Sequence, residues 1–126
     1  MHFIINVAPR TKKNSQQIIK VNKRMVIIPS KAYRDYEKAC AEYMPQIETI
    51  TTPVNVRAIY YMKTRQRVDL CNLHEALCDV LVHYKIVEDD NSKIIFSMDG
   101  SYVDYDKKNP RTEIYITEVK RCQKEE

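Results

Sequence analysis

The segment Arg65-Gln66-Arg67-Val68-Asp69-Leu70-Cys71-Asn72-Leu73-His74-Glu75 sets bases directly before a run that carries carboxylates, and Asp79 and then Glu88-Asp89-Asp90 follow. Those residue types suit metal-dependent cleavage of a phosphodiester. Carboxylate oxygens hold a hard divalent ion, and Lys and Arg hold the charge of the phosphate backbone. A helix turns by about 100° per residue, which puts Asp69, Asn72, Glu75 and Asp79 within roughly one third of its circumference. Beside them runs a packing stripe of Leu70, Leu73, Leu77, Val80, Leu81 and Tyr84. If the chain turns back after this helix, Asp90 meets Asp69 across a gap. The bases form two groups, Arg10, Lys12 and Lys13 early and Lys63, Arg65 and Arg67 before the acids.

A blander reading fits the same residues. Acids near a helix N-terminus are favoured by the dipole alone. Glu75 and Asp79 would suit any solvated face, Glu88-Asp89-Asp90 any polar turn, and the bases any surface loop. Spacing therefore leaves both readings open. Other chemistries are weaker still. A Cys71–His74 nucleophile pair lacks a third group to orient it, and His2 and His83 have no evident ligand partner. Cys71 and Cys78, seven apart on one side of the helix, read as packing residues.

Composition narrows the classes. With a single glycine, Gly100, the chain can draw neither a P-loop nor a dinucleotide fingerprint. Phosphates, if bound, must be bound by side chains and metal. The cysteines at 40, 71, 78 and 122 show no CxxC spacing, which argues against zinc. With no signal peptide recognisable in Met1–Val7, the thiols read as reduced and the location as cytoplasmic. A net charge of +4 and a pI near 8.8 permit an anionic partner without demanding one. No apolar run approaches the ~20 residues of a membrane helix. The nine tyrosines read as core or edge residues more than as base-stacking platforms.

The 126 residues predict one domain. A strand is expected over His2–Val7, then a basic loop from Pro9 to Ser15. Ile18–Ile28 reads as a hairpin turning at Asn22-Lys23, a weaker turn signal than Asn-Gly. Ser30 is placed to cap a helix bearing Tyr33, Tyr36, Cys40, Tyr43 and Met44, which Pro45 ends. A strand over Val54–Met62 precedes the acidic helix, Asp69–Tyr84. A strand over Lys93–Met98, a turn at Asp99-Gly100-Ser101, a polar loop from Asp104 to Pro110 and a strand over Thr112–Val119 complete the pattern. The domain is expected over 1–119, with a charged tail over 120–126. The order implies an α+β fold with two main helices on a small mixed or antiparallel sheet.

Laid end to end, these residues resemble the RusA family of Holliday junction resolvases. The resemblance is carried by Pro9 to Ser15, Pro29-Ser30-Lys31-Ala32-Tyr33, Arg65-Gln66-Arg67, Asp69-Leu70-Cys71-Asn72-Leu73, Asp79 and Glu88-Asp89-Asp90. It implies a RusA-like homodimer that cuts four-way DNA junctions with Mg²⁺, or Mn²⁺, in recombination and repair in a bacterial or phage-infected cell. By position it implies Asp69 and Asp90 as metal-binding catalytic residues, with Asn72 and Asp79 in support and Asp89 as a neighbour. Two positions depart from the family pattern. The second motif aspartate is Cys71, and a helix lysine is Glu75. A thiol does not replace a carboxylate for a hard ion, so Glu75 is expected to restore the charge as a third metal ligand. The expected catalytic set is thus Asp69, Asp90, Asp79 and Glu75, with Lys12, Lys13, Arg65 and Arg67 on DNA. Two alternatives stay open: a branched-DNA-binding module weakened or disabled by Cys71, and an interaction protein with no nucleic-acid role.

Overall fold

The computed structural model describes residues 1–12 and 16–120. Strand β1 (His2–Ile5) leads to a two-stranded ribbon, β2 (Gln16–Val21) and β3 (Arg24–Pro29), followed by helix α1 (Lys31–Cys40) and a single tight turn over Ala41–Tyr43. Strand β4 (Val54–Met62), helix α2 (Leu70–His83) and strands β5 (Ile95–Ser97), β6 (Tyr102–Tyr105) and β7 (Arg111–Glu118) complete the chain. The α+β fold, with two helices and a mixed sheet, is the one the sequence implied.

The five-stranded sheet is built on β4. One edge of β4 pairs antiparallel with β7, which pairs antiparallel with β1. The other edge takes two short parallel strands in succession, β5 beside Val54-Asn55 and β6 beside Ile59–Met62. Alternation fixes which side of β4 is buried. Val54, Val56, Ala58 and Tyr60 join Ile114 and Ile116 of β7 in one core with both helices. Helix α1 contributes Tyr33, Tyr36 and Cys40, and α2 contributes Leu73, Ala76, Leu77, Val80 and Leu81. Burial of each large apolar side chain stabilises by about 1.5–3 kcal/mol. The helices are tied directly as well, since Tyr33 Oη donates to the Ala76 carbonyl and Tyr84 Oη to the Glu37 carbonyl.

Local signals set the boundaries. Ser30 caps α1, its Oγ accepting from Tyr33 N–H at 3.2 Å, which contributes about 1 kcal/mol. The β2–β3 turn has Asn22 at φ 49° and Lys23 at φ 65°. Two positive angles match the right-handed twist of the strands, at a cost of about 1–2 kcal/mol for the non-glycine Lys23. Gly100 takes φ 83° in the turn between β5 and β6, where an added Cβ would lie 3.0 Å from the Arg57 side chain.

Two expectations are corrected. Asp104 and Tyr105 belong to β6, because parallel pairing with Tyr61 and Met62 overrides their polar, loop-like sequence. Of the two α2 cysteines expected to pack, Cys78 is buried and Cys71 is exposed. They share a helix side but not a depth: Cys71 lies in the first turn, while Cys78 lies two turns further in, within electrostatic reach of Asp90 on the following segment. Residues 121–126 of the expected tail, Cys122 among them, lie outside the described residues.

Candidate functional site

The first turn of α2 sets the acidic end of the site. Asp69 is the residue before the helix, with extended backbone (φ −82°, ψ 122°). Its carbonyl accepts from the N–H groups of Asn72 and Leu73. Its carboxylate makes no capping bond; Asn72 Nδ2 donates to Oδ2 at 3.4 Å. The exposed carboxylate of Asp69 is therefore free of the cap role that the helix dipole alone would give it. Thr11, Arg67, Val68, Asp69 and Asn72 line a cleft of about 260 Å³.

That cleft shares Arg67 and Val68 with a second, of about 280 Å³, whose walls include Arg10, Lys63, Thr64 and Gln66. The second shares Met62, Thr64 and Gln66 with a third, of about 220 Å³, walled by Arg65, Asp104 and Tyr105. Three adjoining clefts thus follow residues 62–72, basic through most of their course and ending on the Asp69 carboxylate. Arg65 is held in place, its guanidinium carbon 4.3 Å from the centroid of the Tyr105 ring. Such stacking orients a planar cation while leaving its N–H groups free to donate. Two larger clefts, of about 660 and 550 Å³, lie along residues 44–52, and their described walls contain no comparable grouping of basic charge. Their size is a poorer guide to chemistry than the residues along 62–72.

The other acids gather further along α2. Lys12 Nζ donates to Asp79 Oδ2 at 2.9 Å, both side chains about one-third exposed (34% and 33%), and the same ammonium sits 5.6 Å from the Tyr33 ring centroid. Asp90 lies within electrostatic reach of Asp79. In the turn after α2, Asp89 accepts from the Asp90 N–H at 2.8 Å and from Asn91 Nδ2 at 3.1 Å, which holds the Asp89 carboxyl below its ordinary range. The Asp90 carboxyl is raised above its ordinary value, first by partial desolvation and then by Asp89 and Asp79. Burial, with Asp90 and Asp79 beside it, pushes the Cys78 thiol up to about 12. That thiol stays protonated and unreactive.

Asp69 thus shares a cleft with Asn72 and Arg67, Asp90 feels the charge of Asp79 only as the last of several influences, and Glu75 is exposed on α2. No hydrogen bond joins Asp69 to Asp90 among the described residues, and no three His, Cys, Asp or Glu side chains among them form a ready metal cage. Lys13 lies outside the described residues. The donor chemistry nonetheless suits a hard ion: the acids offer oxygen, and the Asp90 carboxyl is raised by partial desolvation with Asp89 beside it. Mg²⁺ is usually held by one or two carboxylates with waters and substrate phosphate, not by an all-protein cage.

Two features escaped sequence reasoning. Tyr105 escaped because its segment reads as a loop; the β-prone Tyr102 and Val103 just before it were the available signal. His74 gains a partner in Tyr60, whose Oη lies 2.7 Å from Nδ1. Burial keeps the Tyr60 phenol protonated and lowers the pKa of His74. Phenol and imidazole share this hydrogen bond, its direction set by the imidazole tautomer.

A comparison with protein families matches residues 6–117 to the model described as Endodeoxyribonuclease RusA. The chain belongs to the RusA endodeoxyribonuclease family. The match takes in the β2–β3 ribbon, both helices, the clefts along 62–72 and both groups of acids. RusA-family membership makes the chain a nuclease domain for DNA, and the basic clefts ending on Asp69 lie within the matched span. No curated protein matches the chain significantly. No helix among the described residues is long and apolar enough to cross a membrane.

Proposed function

We propose that the chain is a divalent-metal-dependent, structure-specific endodeoxyribonuclease that nicks four-way DNA junctions as a homodimer. The observation that carries this reading is the run of basic clefts along 62–72 ending on Asp69, in a chain of the RusA family. Arg65, Arg67 and Lys12, with Lys13 next in sequence, would neutralise phosphates flanking the cut and set the register of the strand. Asp69, Asp90 and Glu75, with Asp79 beside them, are the residues that would hold Mg²⁺ or Mn²⁺. Once bound, the ion supplies charge stabilisation for phosphoryl oxygens and a more acidic water. Lys12 offsets the Asp79 charge and so limits the excess negative charge an incoming phosphate meets. A two-fold dimer would present two such sites, as paired nicks across a branch require.

Cys71 favours a second reading. It stands exposed in the first turn of α2, where the family pattern has an aspartate, and its sulfur is a poor ligand for Mg²⁺. In this reading the chain binds branched DNA and cuts it slowly or not at all. An end-labelled synthetic four-way junction, incubated with Mg²⁺, Mn²⁺ or EDTA, separates the two. Symmetric nicks that need the metal support the nuclease. A metal-independent gel shift without nicks supports the binding module, and absence of binding at low salt contradicts both. The compensating role of Glu75 has its own test: an unchanged Mg²⁺ affinity in Glu75→Gln would remove it from the ligand set.

A further inference from the structure

The β2–β3 ribbon pairs with no other strand among the described residues, and one of its faces leaves three large apolar side chains uncovered beside Lys20. Ile18 stands opposite Ile27, and Lys20 opposite Met25. Directly opposed residues share a face. Ile18 is 63%, Ile27 64% and Met25 71% exposed. A lone two-stranded ribbon is only marginally stable, so three large apolar side chains kept in water on one face call for a partner.

Charge says which partner. Before Asp35 the sequence holds eight Lys or Arg and no Asp or Glu. Of the chain's 21 bases, 13 remain against all 17 acids, a net of −4 for the rest. The ribbon's own charges are Lys20, Lys23 and Arg24, all positive. A second copy docked here about a two-fold axis would set these cations against themselves. A polyanion would neutralise them. The tip adds an independent sign. Lys23 takes a positive φ that glycine would adopt without strain, so a cation is kept where the backbone disfavours a side chain. The ribbon is also joined to the site at both ends: Lys12, shortly before β2, holds Asp79, and β3 runs straight into the Ser30 cap of α1.

We propose that the β2–β3 ribbon is the branch-point wedge of this nuclease. Ile18, Ile27 and Met25 would pack on base pairs whose stacking is broken at a junction, as apolar side chains do between unstacked steps. Lys20, Lys23 and Arg24 would hold the adjoining phosphates. Exposed base faces are what a junction offers and a continuous duplex does not, so the wedge is a source of structural selectivity. This deepens the junction-nuclease reading and rests on it.

The test uses the full chain, a four-way junction carrying 2-aminopurine at the branch point, and a linear duplex of the same sequence. Wild type is expected to raise the 2-aminopurine fluorescence and to prefer the junction. The double variant Ile18→Thr/Ile27→Thr keeps β-branched residues in both strands. It should lose about tenfold or more of that preference, the scale of one lost base-stacking contact, together with the fluorescence rise, while duplex affinity holds. Lys23→Gly should raise the melting temperature by relieving the turn, yet weaken binding and lower the salt slope by about 1. Unchanged junction preference in the threonine variant overturns the wedge, as does its conversion of a wild-type dimer to monomer, which gives the face to a second copy. If wild type cuts junctions while these variants behave like it, the nuclease reading stands and only the wedge falls. If wild type binds no DNA, the nuclease reading falls first.

Discussion

Lys12 Nζ lies 2.9 Å from Asp79 Oδ2 across 67 residues of sequence. This contact ties the basic N-terminal segment to the acidic side of α2, and Asp79 in turn helps raise the Asp90 carboxyl. One ion pair therefore links a proposed DNA contact to a proposed metal ligand. Because both side chains are about one-third exposed, the pair itself stabilises weakly. A double-mutant cycle of Lys12→Ala and Asp79→Ala, read by urea unfolding, should give a coupling of about 0.5–1 kcal/mol. NMR titration of Asp79→Asn should show the Asp90 carboxyl moving down toward its ordinary value, since one of the charges that raises it is gone. An Asp90 titration unmoved by that substitution would contradict the link.

Arg65 stacks on Tyr105 and lines the basic clefts. Arg65→Ala should weaken duplex and junction binding alike and reduce the salt slope by about 1, the signature of one lost phosphate contact. Tyr105→Leu should produce a smaller loss with the slope preserved, because the cation survives but is less well oriented. Fluorescence anisotropy from 50 to 200 mM salt reads both. A change confined to one DNA sequence would instead mark Arg65 as a base reader.

His74 should make stability fall in mild acid. Burial lowers its pKa in the folded chain, so the unfolded chain takes up the proton first. The stabilising contribution is complete above the ordinary histidine value of about 6.5. It is lost as pH falls through the lowered folded value, when the half-buried imidazole is forced to charge beside Tyr60. Urea midpoints measured from pH 7.5 to 5.0 should decline in wild type, and His74→Gln should flatten that decline.

Thr112 is fully buried in β7, and its Oγ1 has no hydrogen-bond partner among the described residues. A buried hydroxyl without a partner costs free energy that an isosteric methyl does not. Thr112→Val should therefore be neutral or stabilise the fold by about 1 kcal/mol in denaturant unfolding, with DNA cleavage unchanged. A loss of that size would show that the hydroxyl is satisfied after all, for example by an ordered water.

Much of the fold was legible because its signals are local. Ser30 before an apolar helical pattern, the leucine stripe of α2 and the paired β-rich runs around Asn22-Lys23 each state their own structure. Strand β6 was not legible, since Asp104 and Tyr105 become strand only by pairing with β4, some forty residues earlier. The site divides the same way. Arg67 and Asp69 share a cleft two residues apart, which the sequence could suggest. The meeting of Lys12 with Asp79 depends on tertiary packing that helix spacing cannot convey.

The most direct test of the nuclease reading is single-turnover cleavage of a labelled four-way junction by wild type and Asp90→Asn in Mg²⁺, with binding followed in parallel. The raised Asp90 carboxyl works against the folded state once ionised, so the substitution should leave the melting temperature without metal unchanged or higher. Wild type should make symmetric nicks that EDTA abolishes. Asp90→Asn should bind the junction with about wild-type affinity and make none. An Asp90→Asn protein that cuts at the wild-type rate would contradict the assignment of the site.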